Sequence, residues 1–307
     1  MSATFSVGEL PGADRARAVT IGKFDGVHLG HQEVISELSK LSEGAEVTVV
    51  TFDRHPRQLL DPDNCPEPLL SNEQKVDALM AAGADRVAVI PFTQDFADLS
   101  PDDFAKTILV DGLGASVVLV GKDFRYGHHG EGTLETLRAE GERHGFSVHT
   151  VDDVVHTGGE RISSTRIRDL LSDGKAVEAA ELLGRPHSVR SRVVHGHQRG
   201  RLLGYPTANL SNPVEGFVPA DGVYATLVTL DGVDYPAATS IGLNPTFGDV
   251  DARMVEAHLF DVDRDLYDTV IEVKFIDYIR PMMQFEGAEA LADQMDRDAI
   301  AIRELLS

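Results

Sequence analysis

Residues 19–32 read V-T-I-G-K-F-D-G-V-H-L-G-H-Q, and the fold of the first half of the chain turns on this stretch. An apolar run from Ala18 to Ile21 breaks into glycines at Gly22, Gly26 and Gly30, with His28 and His31 set among them. The amphipathic spacing Val34, Ile35, Leu38, Leu41 follows at once. Apolar run, glycine break and helical period predict a strand, a tight loop and a helix, in that order. The first turn of such a helix has unpaired N–H groups and carries about half a positive charge, so two imidazoles beside it make a pocket suited to polyphosphate. Two plainer readings stand beside this one: a strand-to-helix turn with partly exposed histidine caps, and a metal site, since neutral imidazole is a common ligand. Neither a cysteine nor an H-E-x-x-H pattern accompanies the pair, which weighs against metal.

Working outward, apolar runs and helical patterns alternate to about residue 155. Strands are predicted over 46–52, 86–92, 115–121 and 146–155, and helices over 71–83, from Ser100 onward, and over 133–144. The helix at 71 opens with S-N-E-Q, a capping-box pattern, and closes at Gly83; Pro101 takes the first position of the next. The run A-S-V-V-L-V-G at 115–121 has the continuous apolar character of a strand covered on both faces. Strict alternation of strand and helix predicts an α/β domain with a doubly wound parallel sheet, whose ligands sit at the carboxyl ends of the strands. Two loops at those ends stand out, T-F-D-R-H-P-R at 51–57 and V-G-K-D-F-R-Y-G at 120–127. A third segment, R-I-S-S-T-R-I-R at 161–168, opens a helix that runs to about Ser172, where a Ser/Thr cluster would ordinarily serve only as a cap.

The pattern changes around Gly184-Arg185-Pro186. Beyond it come period-two strands at 188–194, 222–230, 234–240, 254–260 and 269–275, with Asp231-Gly232 as a two-residue hairpin turn. They predict a small closed antiparallel β-barrel, packed by one helical tail over 286–306. The domain limits are therefore placed at 1–183 and 184–307. In the second domain, G-H-Q-R-G-R-L-L-G-Y-P-T-A-N spans 196–209. Its glycines alone are weak evidence. Thr207 and Asn209, however, alternate along an extended segment, so both offer oxygen atoms on one face, suited to a hard cation.

Composition narrows the function classes. The chain has 307 residues with 42% hydrophobic content, enough for two cores, and a formal net charge of −22. That charge argues against a general nucleic-acid or acidic-membrane surface, so anionic ligands must be held by local features. One cysteine, Cys65, excludes an intrachain disulfide framework and fits a reducing compartment. No run of about 18 apolar residues appears, and the N-terminus lacks a basic flank before an apolar segment, so a cytoplasmic protein is expected.

The run G-x-F-D-G-x-H-x-G-H, the segments at 51–57 and 120–127, and I-S-S-T-x-I-R at 162–168 together resemble the FAD synthetase branch of the HxGH nucleotidyltransferase superfamily. The P-T-A-N box, P-A-D-G-V-Y at 219–224, S-I-G-L-N-P-T-F-G at 240–248 and V-E-A-H-L-F-D at 255–261 resemble riboflavin kinases, in the same order. The whole chain thus resembles the bifunctional riboflavin kinase and FMN adenylyltransferase family. The resemblance implies that riboflavin, ATP and Mg²⁺ give FMN in the second domain, and that FMN and a second ATP give FAD and pyrophosphate in the first. It implies His28 and His31 as catalytic residues of the transferase, with Gly22, Phe24, Asp25, Arg161, Ser163, Ser164, Thr165 and Arg168 on ATP, and Phe52, His55, Pro56, Asp123, Phe124 and Tyr126 on the flavin. In the kinase it implies Gly196, Arg199, Gly200, Gly204, Pro206, Thr207 and Asn209 on ATP, with Thr207 and Asn209 also holding the metal. Asn244 and Arg280 would then meet the flavin, and Glu256 would be the general base. Its partners would be small molecules, without nucleic acid or membrane, and with homo-oligomerisation left open.

Some positions depart from the family pattern. Lys23 takes a site that is usually uncharged, Leu60 falls where an aromatic is common, and the loop 128–133 lacks an arginine. Asp268 replaces a glycine after Tyr267, and Met283-Gln284 stands where Glu-Lys often precedes the phenylalanine. Rival readings are retention of one activity alone, a relative acting on another phosphorylated substrate such as pantetheine phosphate or glycerol phosphate, and a flavin-binding regulator with silent sites. The P-T-A-N module weighs against the other-substrate reading, and intact His28, His31 and Glu256 against the regulator.

Overall fold

The computed structural model describes residues 2–4, 10–152, 161–196, 204–243 and 253–307. Two compact units divide the chain, Met1–Ser163 and Ser164–Ser307.

The first unit is built on β1 (Ser2–Thr4), β2 (Arg17–Ile21), β3 (Glu46–Phe52), β4 (Arg86–Ile90), β5 (Ala115–Gly121) and β6 (Ser147–Val151). They form one parallel sheet in the order β1-β4-β3-β2-β5-β6, with Val19 level with Thr48 on one side and Val118 on the other. Helices Leu29–Leu41, Asn72–Ala81 and Leu134–His144 fill three of the connections. The fourth, from β4 to β5, starts as a helix at Pro101–Phe104 and continues as a π-helical stretch, Ala105–Gly112. Every residue of β2 is buried, as a strand covered on both faces requires. The capping box at Ser71 is present: Gln74 N donates to Ser71 Oγ at 3.3 Å and Ser71 N to Gln74 Oε1 at 3.0 Å. The last strand is shorter than the periodicity predicts, ending at Val151, and residues 153–160 lie outside the described residues.

Strand order places the ligand site. From β2 the chain goes to β3 on one side, and only later to β5 on the other, so the crevice of this doubly wound sheet opens at the carboxyl ends of β2 and β5. The loop carrying His28 leaves β2 at that point, and the loop carrying Phe124 leaves β5 beside it.

The second unit opens with helices Ser164–Ser172 and Ala176–Leu183. The barrel follows: β7 (His187–Val194), β8 (Ala208–Leu210), β9 (Gly222–Leu230), β10 (Val233–Leu243), β11 (Arg253–Leu259) and β12 (Val270–Arg280), closed in the order β10-β11-β8-β7-β12-β9. Asp231 and Gly232 turn β9 into β10 with φ of 53° and 79°, the left-handed pair of a tight hairpin. The interior is apolar, with Val189, Val228, Ile241, Val255, Ala257, Val273 and Phe275 among its residues. Ala176 joins that core, so the helix Ala176–Leu183 groups with the barrel. Helix Ala288–Leu305 completes the unit.

One barrel residue makes the fold sensitive to acid. His187 is 2% exposed, stacks on Phe275, and donates from Nε2 to the carbonyl of Phe217 at 2.6 Å. Burial pushes its pKa down to about 4, with Arg185 adding to the fall and the Phe217 carbonyl opposing it. The folded state therefore holds His187 neutral where the unfolded chain takes up a proton. The stability this contributes is complete above about pH 6.5 and is lost as pH falls toward about 4, by about 3 kcal/mol in all. Every tyrosine except Tyr126 belongs to the second unit, so tyrosine fluorescence reports its unfolding. Urea midpoints should fall between pH 7 and pH 4.5, and the drop should be smaller in His187→Gln; equal drops would assign the acid sensitivity to other groups.

Candidate active sites

In the first unit, Gly22 still pairs with the sheet through its N–H to Val50 O at 3.1 Å. The chain then turns left-handed at Phe24 (φ 48°), Gly26 (φ 81°) and Val27 (φ 44°). Such a conformation is unusual for a bulky residue and rarer still for a β-branched one, and clusters of it mark functional loops. The loop is pinned by three bonds: Leu69 N to Asp25 Oδ1 at 2.9 Å, Thr51 Oγ1 to Lys23 O at 3.1 Å, and Gln32 Nε2 to Val27 O at 3.0 Å. His28 is the N-cap of helix Leu29–Leu41, and its Nδ1 accepts from His31 N at 3.4 Å. The two imidazoles stack with centroids 3.6 Å apart, and Phe24 meets His31 edge-on at 5.1 Å. The structure thus brings Gly22, Phe24, Asp25, His28 and His31 into one loop and helix start.

The neighbouring loops present aromatic faces. Phe124 stacks over Tyr126, whose hydroxyl shares a 3.1 Å hydrogen bond with Thr136 and whose pKa burial pushes up. Ring contacts then run from Tyr126 through Phe104, Phe96 and Phe92 to Phe52. A continuous aromatic chain therefore joins the end of β3 to the loop after β5. Phe92, Phe96 and Phe104 were not singled out in the sequence, where each is simply an apolar residue of a helix or loop. His55 accepts from Arg57 N at 3.1 Å, and Pro56 leads into the single turn Arg57–Leu60. Arg161 lies 3.7 Å from the Asp123 carboxylate, both exposed. Ser163 ends the first unit, while Ser164, Thr165 and Arg168 open the second on helix Ser164–Ser172.

In the second unit, Thr207 and Asn209 do share a face: Asn209 Nδ2 lies 3.4 Å from Thr207 Oγ1. Asn209 is directly opposite Glu256 in the β8–β11 ladder, and cross-strand partners point the same way. Val255, Ala257 and Leu259 face the barrel core, so Glu256 faces outward, half-buried. Gly196 lies so close to the Asn209 amide that a Cβ there would overlap it. His258 donates from Nδ1 to Pro206 O at 2.8 Å, and Tyr205 just before it bonds Asp296 of the last helix, which pushes the tyrosine pKa up to about 12. Arg280 is engaged by both oxygens of Asp298, at 2.7 to 3.1 Å, and by Pro281 O. Gly204 has left-handed backbone, φ 86°. Arg199, Gly200 and Asn244 lie outside the described residues.

The FAD synthetase family profile matches residues 11–166 and the riboflavin kinase profile matches residues 183–306. The chain belongs to the bifunctional riboflavin kinase/FMN adenylyltransferase family. Proteins of that description from Listeria monocytogenes and Pseudomonas fluorescens are 36% and 37% identical to it, over 93% and 95% of this chain and 91% and 93% of their own. A crystal structure described as a macrolide-efflux protein from Streptococcus pneumoniae superposes with a TM-score of 0.87 at 32% identity, over 98% of both chains. Among the described residues no helix is long and apolar enough to cross a membrane. The enzyme phosphorylates riboflavin to FMN with ATP, then adenylylates FMN with a second ATP to give FAD and pyrophosphate.

Membership also explains one departure. Asp268 has φ of 62°, which is why a glycine is usual after Tyr267; the aspartate accepts the left-handed backbone as the price of a side chain there. The close approach of Gly196 to Asn209 yields a sharper test. Gly196→Ala should displace the Asn209 amide and lower riboflavin phosphorylation by roughly tenfold or more, since small misplacements of positioning groups are costly. Adenylylation of supplied FMN should stay at the parental rate, and a fully active kinase in this variant would remove Asn209 from the site.

Proposed function

We propose that residues 1–183 perform the adenylyl transfer and residues 184–307 the phosphorylation, a division supported by the two family matches. For the kinase, the observation that carries the reading is the cross-strand pair of Glu256 and Asn209 with Thr207 beside them. Glu256 accepts the proton of the ribityl hydroxyl as that oxygen attacks the γ-phosphorus of ATP, and ADP leaves. Mg²⁺ suits Thr207 and Asn209: both are hard-oxygen side chains, they touch one another, and the Asn209 amide is cradled by a glycine. When bound, the ion would neutralise phosphate charge. The family resemblance assigns Gly196, Arg199, Gly200, Gly204 and Pro206 to the nucleotide, and Asn244 and Arg280 to the flavin.

For the transferase, a phosphate oxygen of FMN attacks the α-phosphorus of ATP and pyrophosphate departs, with no protein nucleophile. Because His28 Nδ1 accepts a backbone N–H, its proton sits on Nε2, the atom that would donate to the triphosphate. His31 and the amides of the helix start add further donors, and the family resemblance assigns Arg161, Ser163, Ser164, Thr165 and Arg168 to ATP as well. Phe52, His55, Pro56, Asp123, Phe124 and Tyr126 line the flavin side, on the aromatic chain described above. We place the enzyme in the cytoplasm with small-molecule partners only, in keeping with its acidic surface and single cysteine.

Two substitutions test the assignments. Glu256→Gln keeps size and loses the proton acceptor, so kinase turnover should fall on the order of 100-fold while FMN adenylylation is untouched. A loss within about threefold would make Glu256 an ordinary strand residue. His28→Ala and His31→Ala each remove a transition-state donor, so FAD formation should fall by roughly 100 to 1000-fold and FMN should accumulate from riboflavin at an unchanged rate. Chromatography of the flavins after incubation with riboflavin, ATP and Mg²⁺ reads both results, and parental FAD yields would end the histidine mechanism.

A further inference from the structure

Lys75 lies on the buried face of helix Asn72–Ala81 and is 8% exposed. Its Nζ donates to the carbonyl of Phe52, the last residue of β3, at 2.6 Å. Burial pushes its pKa down, while Asp25 and Asp53 act to keep it charged. The two carboxylates come from different loops, Asp25 from the one after β2 and Asp53 from the one after β3. Each also accepts a backbone N–H from a further segment, Leu69 at 2.9 Å and Phe92 at 2.8 Å. One turn back toward the start of the helix, Asn72 Nδ2 donates to Asp53 O at 2.7 Å. An ammonium is costly to bury, and a methionine here would pack without that cost. Packing therefore does not account for the charge.

We propose that Lys75 is a positioning residue for adenylyl transfer, its ammonium clasping the loops after β2 and β3 so that Phe52, His55 and Pro56 are held in place against the loop of Asp25 and His28. This rests on the reading above, in which those loops hold FMN and ATP. The same charge offsets Asp25 and Asp53, which would otherwise repel the two phosphorylated substrates. Without the ammonium, the bond to Phe52 O is lost and Asp25 and Asp53 lose a nearby positive charge, with Arg54 still paired to Asp53, so FMN must order those loops as it binds. Substrate capture should suffer more than the chemical step, since the donors to the triphosphate remain.

The test uses the full-length enzyme with Lys75→Met, Lys75→Gln and Lys75→Arg. Glutamine keeps an N–H donor on a side chain one bond shorter and carries no charge, and arginine keeps the charge. FMN adenylylation is measured against FMN concentration, and riboflavin phosphorylation serves as an internal control. The methionine and glutamine variants should raise KM for FMN by about tenfold or more with kcat within about threefold, while arginine stays within about threefold of the parent in both. Kinase rates and circular dichroism should be unchanged throughout. A parental KM in either neutral variant overturns the proposal, as does equal impairment in all three, which would mark a size-dependent plug. Misfolding of both neutral variants, seen as lost kinase activity, also counts against it, because a clasp acts locally. His28→Ala run alongside separates the two levels: if it still makes FAD, the site reading itself fails, whereas an inactive His28→Ala beside a parental Lys75→Met removes the clasp alone.

Discussion

The first unit depends on a constraint at β2. That strand is paired on both sides by parallel neighbours and buried along its whole length, so the chain must leave it abruptly at the crevice where strand order reverses. The exit uses left-handed backbone at Phe24 and Val27, at a cost of roughly 1–3 kcal/mol each. Both side chains are buried, and burying residues of this kind contributes about 1.5–3 kcal/mol apiece. Packing of the loop side chains thus offsets the strain of the loop backbone. The result is a helix start, with its two stacked histidines, fixed at the crevice by the packing of its own loop.

A chain with a net charge of −22 has to bind ATP twice and FMN once, and it does so with few cations. Many of its arginines are spent on structure. Arg17, 1% exposed, bonds Glu46, Asp14 and the carbonyls of Gly12 and Leu113 beneath the sheet. Arg253 holds Asp221 and the carbonyls of Val218 and Pro219. Beside a few arginines, the sites proposed above rely on neutral or partial charge: backbone amides, imidazole and hydroxyl donors. Such donors work by position rather than by field, which demands rigid loops.

Much of this was legible in the sequence because its signals are local. The predicted strand over 46–52 is β3, residue for residue, and S-N-E-Q forms the capping box it spells. Asp231-Gly232 turns the hairpin its φ preferences demand. The helix Ala176–Leu183 was missed because A-V-E-A-A-E-L-L sits beside a composition break that drew the eye to Gly184, and its grouping with the barrel depends on a tertiary contact of Ala176. The π-helical stretch Ala105–Gly112 leaves no mark in apolar periodicity. Lys75 was not singled out in the sequence, yet it lies four positions before the buried Leu79 and so on the same face. That spacing was the signal available. The aromatic chain from Phe52 to Phe124 joins residues of several loops, a juxtaposition that only the folded sheet creates.

In the second unit the barrel interior is filled, so the proposed kinase site lies on its outer face, where alternation puts Glu256 and Asn209. An outer face open to water would screen both groups. The last helix is tied to two edges of the barrel, through Asp296 to Tyr205 at the entry to P-T-A-N and through Asp298 to Arg280 at the end of β12. Asp298 is 5% exposed and Arg280 makes a bond from every guanidinium nitrogen, so the second link is a buried, bidentate ion pair. Pairs of this kind add little net stability, because desolvation consumes most of the attraction, but they tolerate few alternative geometries. The helix therefore fixes the position of Tyr205 and of Arg280 more than it strengthens the barrel, and it does so with carboxylates two residues apart.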